Sequence, residues 1–349
     1  MLHEQAILKE PRDCPEAQLH SAISGLAVAE EMTIGMVTNP HSGGNRKGIG
    51  PVREFLARHP DIHHGEAVTP EEVEALLADF SARNVNLLIV NGGDGTVQAV
   101  LTALYGDGRR LFSHPPVLAL LRAGTMSMLA RDVGVQAEQA AALAKIRAWS
   151  ATSERRADLI HPRPVLKVRR AGEQKALCGM FFGAGAILGG IELYHERVNP
   201  HGVRGELMPG LILLRILLAI LMREEKLVAP TEMGMCVNGS SPRRIACLAA
   251  LVSTLERLFL GLHPFWGKET APLHFTAVKV KAPHLWRSLP FLLRGIPTAA
   301  ATPDNGFFSH NAGHVALEFR GRFTLDGELF AARGTLTIEP AGPALFLRL

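Results

Sequence analysis

The chain has 349 residues, with 37 Lys or Arg against 33 Asp or Glu for a formal charge of +4, and it is 47% hydrophobic but only 20% charged. With no Lys/Arg run longer than a pair, that surplus excludes the clustered cations of a nucleic-acid-binding face, and the apolar share excludes disorder as the main state. Single cores stop growing at roughly 250 to 300 residues, so two domains are expected.

Residues 1–30 mix acidic, basic and apolar side chains without the apolar block of a secretion signal, and read as an N-terminal extension. Residues 31–150 then alternate strand and helix. The apolar run Met32 to Val37 ends in Asn39-Pro40-His41-Ser42-Gly43-Gly44, with a helix predicted from Lys47 to Arg58. A second unit runs from Ile62 into a helix over Pro70 to Arg83. A third runs from Asn86 to Asn91, through Gly92-Gly93-Asp94-Gly95-Thr96, into a helix over Val97 to Tyr105. Pro116 to Leu121 is a fourth strand, answered by helices over Thr125 to Asp132 and Ala137 to Trp149. Strands alternating with helices imply parallel pairing through right-handed crossovers, hence a doubly wound α/β domain.

Over 151–349 the rhythm changes. Asp158 to Ile160, Val165 to Arg170, Ala176 to Phe182, Leu227 to Val237, Arg243 to Val252 and His274 to Lys281 read as strands. Only two helices are expected among them, near Ile187 to Arg197 and Glu206 to Arg223, and Pro297 to Gly313 reads as a long loop. The expected architecture is α/β + β: an N-terminal doubly wound domain, then a mostly antiparallel β-sandwich whose last strand returns to the first domain, with the active site in the cleft between them. Cys14, Cys178, Cys236 and Cys247 form no CxxC pair, so neither a zinc knuckle nor a disulfide framework is indicated, and a reducing, cytoplasmic setting is expected. The apolar segment Leu211 to Met222 falls short of the roughly 20 residues that span a bilayer.

The strongest chemical signal is Gly92 to Thr96, where the apolar strand Leu87 to Val90 gives way to a helix, the end of an open α/β sheet at which ligands bind. Glycines let the backbone approach a phosphate, the helix start offers unpaired N–H groups, and Thr96 adds a hydroxyl. Asp94 would repel bare phosphate, so it suits holding Mg²⁺, directly or through water, or taking a proton from an attacking hydroxyl. Asn39 to Gly43 and Ala123-Gly124-Thr125 fall at equivalent strand ends, so three polar loops on one rim make a nucleotide cradle. The absence of a GxxxxGK[ST] run excludes a recognisable P-loop enzyme.

Asn39-Pro40-x-Ser42-Gly43, the Gly92 to Thr96 loop and Gly124-Thr125-x-x-x-Leu129-Ala130-Arg131, followed far downstream by Leu325-Asp326-Gly327-Glu328, resemble in order and spacing the diacylglycerol kinase catalytic-domain family, soluble lipid kinases that include diacylglycerol, sphingosine and ceramide kinases. The resemblance implies transfer of the γ-phosphoryl of ATP, with Mg²⁺, onto a lipid hydroxyl at a transient membrane surface, by an enzyme that is cytoplasmic or peripheral at the inner face of the membrane. It implies that Asn39, Pro40, Ser42 and Gly43 touch the nucleotide, that Gly92, Gly93, Asp94, Gly95 and Thr96 wrap its phosphates, that Gly124, Thr125 and Thr69 lie beside them, and that Arg131 and Arg46 supply positive charge. Asp326, Glu328 or Asp94 is the general base, with Asp94 and Asp326 also candidates for Mg²⁺. The bland alternative for Asp326-Gly327-Glu328 is a hairpin turn.

Gln98, Arg122, Ser127 and Met128 depart from the residues usual in the family, and Thr254 to Trp266 replaces its glycine-rich substrate segment, so the resemblance leaves the acceptor lipid open. Rival readings are an NAD kinase-like enzyme, which shares GGDGT; a dinucleotide oxidoreductase, from Gly183-x-Gly185-x-x-x-Gly189; and a non-catalytic lipid- or nucleotide-binding protein on a kinase scaffold. His59, His63 and His64 flank a Pro-Asp connection without metal-ligand spacing and read as solvated. The apolar stretches Leu211 to Met222 and Leu255 to Trp266 either line an acyl channel, lie on a membrane or belong to the core; core is the expectation for each. Oligomeric state is open.

Overall fold

The computed structural model describes residues 32–107, 110–124, 128–152, 157–197, 207–222, 224 and 230–349. The N-terminal extension over 1–30, Cys14, Thr125 and Ser127 lie outside them. Strands β1 (Ile34–Thr38), β2 (His63–Glu66), β3 (Leu87–Gly92) and β4 (Val117–Arg122) pair in parallel in the order β2-β1-β3-β4. β1 and β3 are buried along their whole length, the mark of a parallel sheet covered on both faces. The covering helices are α1 (Gly50–Arg58), α2 (Pro70–Ala82), α3 (Asp94–Tyr105), α4 (Met128–Val133) and α5 (Gln139–Ser150). Each pins its apolar residues on the sheet: Val73, Leu77 and Phe80 of α2 join Val37, Leu88 and Val90, while Val52 and Phe55 of α1 join Met36 and Ile89. α2 starts on a capping box, in which the Thr69 side chain accepts from the Glu72 N–H while Glu72 accepts from the Thr69 N–H.

The second half is dominated by antiparallel strands: β5 (Ile160–Arg170), β6 (Leu177–Gly179), β7 (Phe181–Gly185), β8 (Thr231–Val237), β9 (Arg243–Ser253), β10 (Leu273–Lys279), β11 (Phe307–Ala312), β12 (Val315–Leu325) and β13 (Glu328–Leu347). β7 and β8 both lie between β9 and β12, pairing with different stretches of them, and the chain runs on through β13. The 20 residues of β13 first pair with β12, then with β5, and at Phe346 join Leu118 of β4 in parallel, so hydrogen bonds run unbroken from one half to the other. An apolar cluster also spans the junction, uniting Val97, Val100 and Leu101 of α3 with Cys178, Phe181, Leu255 and Phe346.

Three expectations are corrected. Pro297 to Gly313 is not all loop: Phe307–Ala312 is β11, with Phe307, Phe308 and Ala312 buried and its backbone paired to β10. Glycine and proline on either side masked a short strand. A third helix, α8 (Leu285–Leu292), joins α6 (Ala186–Arg197) and α7 (Leu207–Met222); its internal Pro290 hid the helical spacing. Asp158 and Leu159 form a 3-10 turn with Ala157, and the strand begins only at Ile160. Leu227 to Ala229, expected at the start of β8, lie outside the described residues. Among the described residues no helix is long and apolar enough to cross a membrane.

Candidate active site

Three strand-end loops of the parallel half meet at one rim, and each is tied to another. The Gly44 N–H, after the first loop, donates to the Ala123 carbonyl of the third at 2.7 Å. Asn39 Nδ2 of the first loop donates to Thr96 Oγ1 of the second at 3.1 Å. The Leu129 N–H, in the helix that follows the third loop, donates to Asp94 Oδ1 of the second at 3.2 Å. Small residues make the ties possible: a Cβ on Gly44 would lie 2.5 Å from the Ala123 carbonyl oxygen, and one on Gly92 2.4 Å from Thr96 Cβ.

Behind the rim lies a buried amide network absent from the sequence reading. Asn45, at the end of the first loop, donates through Nδ2 to the Asn39 carbonyl at 2.7 Å and the Asn91 carbonyl at 3.1 Å. Gln139, reaching in from α5, donates to Asn45 Oδ1 at 2.7 Å and Asn91 Oδ1 at 3.0 Å. Asn45 and Asn91 are fully buried, so these bonds hold both loops from below. The only hint in sequence was the placing of Asn45 and Asn91 at loop boundaries; nothing in the Ala-rich run around Gln139 pointed to its reach.

The antiparallel half supplies the opposite wall. Asp326 (φ 51°) and Gly327 (φ 91°) form the two-residue turn between β12 and β13, with Leu325 opposite Glu328. Two successive left-handed residues are the type I′ arrangement that Asp-Gly favours, so the hairpin reading is correct as geometry. The turn does more than reverse the chain. Asp326, only 3% exposed, points its carboxylate at the start of β7, accepting from the Met180 N–H at 3.0 Å and the Phe181 N–H at 2.8 Å. Burial pushes its pKa well above the ordinary aspartate value, the Asp94 charge pushes it further, and the two backbone donors oppose both. Glu328 lies over the start of α3, where a Cβ on Gly95 would collide with its carboxylate.

Both walls enclose a cavity of about 440 Å³ lined by Asn39, Ser42, Gly43, Thr69, Gly93, Asp94, Gly95, Thr96, Gly124, Asp326 and Glu328, among others. Most of the site residues expected from sequence therefore converge on one space. Pro40 and Gly92 shape its loops without lining it, and Thr125 lies outside the described residues. Arg46 lines the cavity whereas Arg131, on α4, does not. Ile191 of α6, Leu177 and Phe330 add an apolar side that sequence reasoning missed. Gln98, one of the departures, lines the cavity and donates to Thr102 Oγ1 at 2.9 Å, which in turn accepts from the Cys178 N–H at 2.9 Å, so it braces α3 against β6.

Residues 33–160 match the family model of the diacylglycerol kinase catalytic domain. Over those residues, little more than a third of its length, the chain is similar to that catalytic domain. The fold of the whole chain is similar to that of a diacylglycerol kinase from Bacillus anthracis str. Sterne, at 16% identity and a TM-score of 0.56 over 91% of this chain and 97% of that one. Two further chains from the same organism, provisionally so designated, align at 18% and 17% identity with a TM-score of 0.58 each, covering 89% and 92% of this chain and 95% and 98% of theirs. Comparison with curated proteins gives no match. The dinucleotide alternative at Gly183 loses its structural basis: Gly183 and Gly185 sit in β7, antiparallel to both β9 and β12, rather than in a parallel strand feeding a crossover.

Among the described residues no group of three or more His, Cys, Asp or Glu is placed to hold a metal. Asp94 and Asp326 nonetheless fit Mg²⁺, which takes hard oxygen donors and uses one or two carboxylates together with substrate phosphates. The repulsion between these two charges is the kind a cation relieves.

Proposed function

We propose that the chain is an ATP- and Mg²⁺-dependent kinase that transfers the γ-phosphoryl group to a hydroxyl of a lipid alcohol such as diacylglycerol, ceramide or a sphingoid-like base. One observation carries this reading: a buried, proton-avid carboxylate on a hairpin of the antiparallel half lies with Asp94 of the glycine loop in a single cavity walled by three small-residue loops. In this reading residues 31–150 form the nucleotide domain, 151–349 the lipid domain, and the cavity the cleft between them.

Phosphoryl transfer asks for positioning and charge neutralisation rather than covalent chemistry by the protein. Asn39, Ser42, Gly43, Gly93, Gly95, Thr96 and Gly124 bind the nucleotide, chiefly through backbone groups and the N-terminus of α3, while Thr69 closes the side beneath α2. Arg46, rather than Arg131, faces the phosphates. Asp94, directly or through water, would hold Mg²⁺, which when bound would supply charge neutralisation. Asp326 accepts the proton of the acceptor hydroxyl as the new O–P bond forms and the bond to the β-phosphate oxygen breaks, releasing ADP. Its raised proton affinity suits that role better than the more exposed Glu328 does. Ile191, Leu177 and Phe330 offer the acceptor an apolar wall, and the lipid enters from a membrane surface at which the enzyme is peripheral.

The test is thin-layer detection of labelled product from a panel of lipid alcohols in mixed micelles, with NAD as a rival acceptor. The reading expects a phosphorylated lipid that disappears in Asp94→Ala; labelling of NAD alone, or full activity in Asp94→Ala, would overturn it.

A further inference from the structure

Core was the expectation for both apolar stretches, and the structure separates them. Leu255, Leu258 and Phe265 are buried in the cluster that joins the two halves. On α7, by contrast, among the described side chains Ile216 and Ala219 are buried, while Leu211, Leu214, Leu218 and Met222 are 43% to 69% exposed. Their spacing of three, four and four residues places them on one stripe of the helix.

This stripe has neighbours of the same kind. α8 rests on the cluster that also seats α7, with Leu285 against a core that includes Ile216 and Ala219. Its outer side presents Trp286 and Phe291, and Ile296 just beyond it, all 42% to 52% exposed. Between the two helices stands Leu260, 46% exposed on a left-handed backbone (φ 57°) followed by Gly261 (φ 71°). That turn lies near the start of α7, where a Cβ on Gly210 would lie 3.7 Å from Leu260 Cδ1, and it is tied to the end of α8 by the His263 N–H donating to the Leu293 carbonyl at 3.0 Å. Leu260 is thus held outward on a backbone conformation that ordinarily favours glycine.

The charge along α8 and its flanks is one-sided. Residues 279–303 carry Lys279, Lys281, Arg287 and Arg294 and no Asp or Glu. All four cations are exposed, and among the described residues none of them is in an ion pair. An apolar surface headed by a tryptophan and flanked by exposed arginines and lysines matches the interface of an anionic bilayer, where apolar side chains enter the acyl boundary and cations meet headgroup phosphates. A second copy of the chain would bring the same positive charges against themselves. α7 also packs on α6, whose Ile191 lines the catalytic cavity, so the patch adjoins the site that needs the lipid.

We infer that the outer faces of α7, the Leu260 turn and α8, with Lys279, Lys281, Arg287 and Arg294, form the surface by which this protein docks on an anionic lipid bilayer. The inference gives the lipid-kinase reading its route to substrate, yet docking requires neither nucleotide nor turnover and is measured without them.

The experiment is sedimentation of the full chain with phosphatidylcholine vesicles, with or without phosphatidylglycerol and in the absence of ATP, alongside tryptophan emission. Binding is expected only with the anionic lipid, with a blue shift that Trp286→Phe removes. Arg287→Gln/Arg294→Gln is expected to weaken binding ~30-fold, from roughly 1 kcal/mol per surface cation, and Leu214→Ser/Leu218→Ser to weaken it comparably through the loss of apolar insertion. These side chains are exposed, and unchanged thermal unfolding checks that the fold is kept. Equal binding to both vesicle types, undiminished binding in the variants, or a concentration-dependent dimer that the same substitutions dissociate would overturn the assignment. Lipid phosphorylation in detergent micelles by a variant that no longer binds vesicles would leave the kinase reading standing apart from this one.

Discussion

In the parallel half the cavity wall is built on loops of small and polar residues held by amides buried beneath them, whereas the antiparallel half brings a carboxylate on the tip of one turn. The first arrangement spreads the positioning of the wall over many hydrogen bonds between loops. The second concentrates it in Asp326, which two backbone N–H groups hold in place while burial and Asp94 make it cling to its proton. Damage to the two walls should therefore differ in kind: the loop wall should fail gradually and in binding, the hairpin wall abruptly and in turnover.

The largest effect is expected at the hairpin. Asp326→Asn keeps an oxygen for the Met180 and Phe181 donors but removes the proposed base, so kcat should fall by ~10²- to 10⁴-fold with nucleotide affinity nearly unchanged, as steady-state kinetics and nucleotide titration would show. The same variant has a stability signature. A carboxyl whose folded pKa lies above its unfolded value, near ~4, contributes stability that is complete below that value and is lost as pH rises through the folded pKa. Thermal unfolding of the wild type should thus show a decline with rising pH that Asp326→Asn lacks; parallel curves would mean that burial does not act on this group as described.

The loop wall should answer more softly. Gly44→Ala drives a Cβ into the Ala123 carbonyl, a backbone atom that cannot swing aside, so ~1–3 kcal/mol of stability should be lost and the KM for nucleotide raised while kcat holds. Gln139→Ala strips the bonds to Asn45 and Asn91 and leaves buried polar atoms unmet, at a cost of ~1–3 kcal/mol by chemical denaturation. A kcat collapse in either variant with KM untouched would erase the contrast between the walls. The smallest effect belongs to Thr69→Ala, which removes the cap of α2 for ~1 kcal/mol, read as a lowered Tm.

The alternation of strands and glycine loops with helices made the parallel half legible almost element by element, because buried parallel strands are continuous apolar runs and their loops advertise themselves. The residues of that half that line the cavity were legible for the same reason: Asn39, Ser42, Gly93 and Asp94 sit where strand ends must be. What escaped were long-range partners. Gln139 lies 94 residues from Asn45, and no local pattern marks a side chain that bonds so far away. β11 and α8 were hidden by the prolines and glycines around or within them, whose turn signals outweigh six or eight residues of weaker periodicity. The exposure of Leu211, Leu214, Leu218 and Met222 was equally out of reach, since an almost wholly apolar helix shows no polar face to indicate which side stays uncovered.

The central claim is that the hairpin carboxylate and the glycine loop serve one reaction. Its most direct test is the pH dependence of single-turnover phosphoryl transfer to a lipid alcohol at saturating nucleotide, in the wild type and in Asp326→Asn. The rate is expected to rise with pH through a pKa well above that of an ordinary aspartate, and to lose that limb in Asp326→Asn. A limb at the ordinary carboxylate position, or one that survives the substitution, would contradict it.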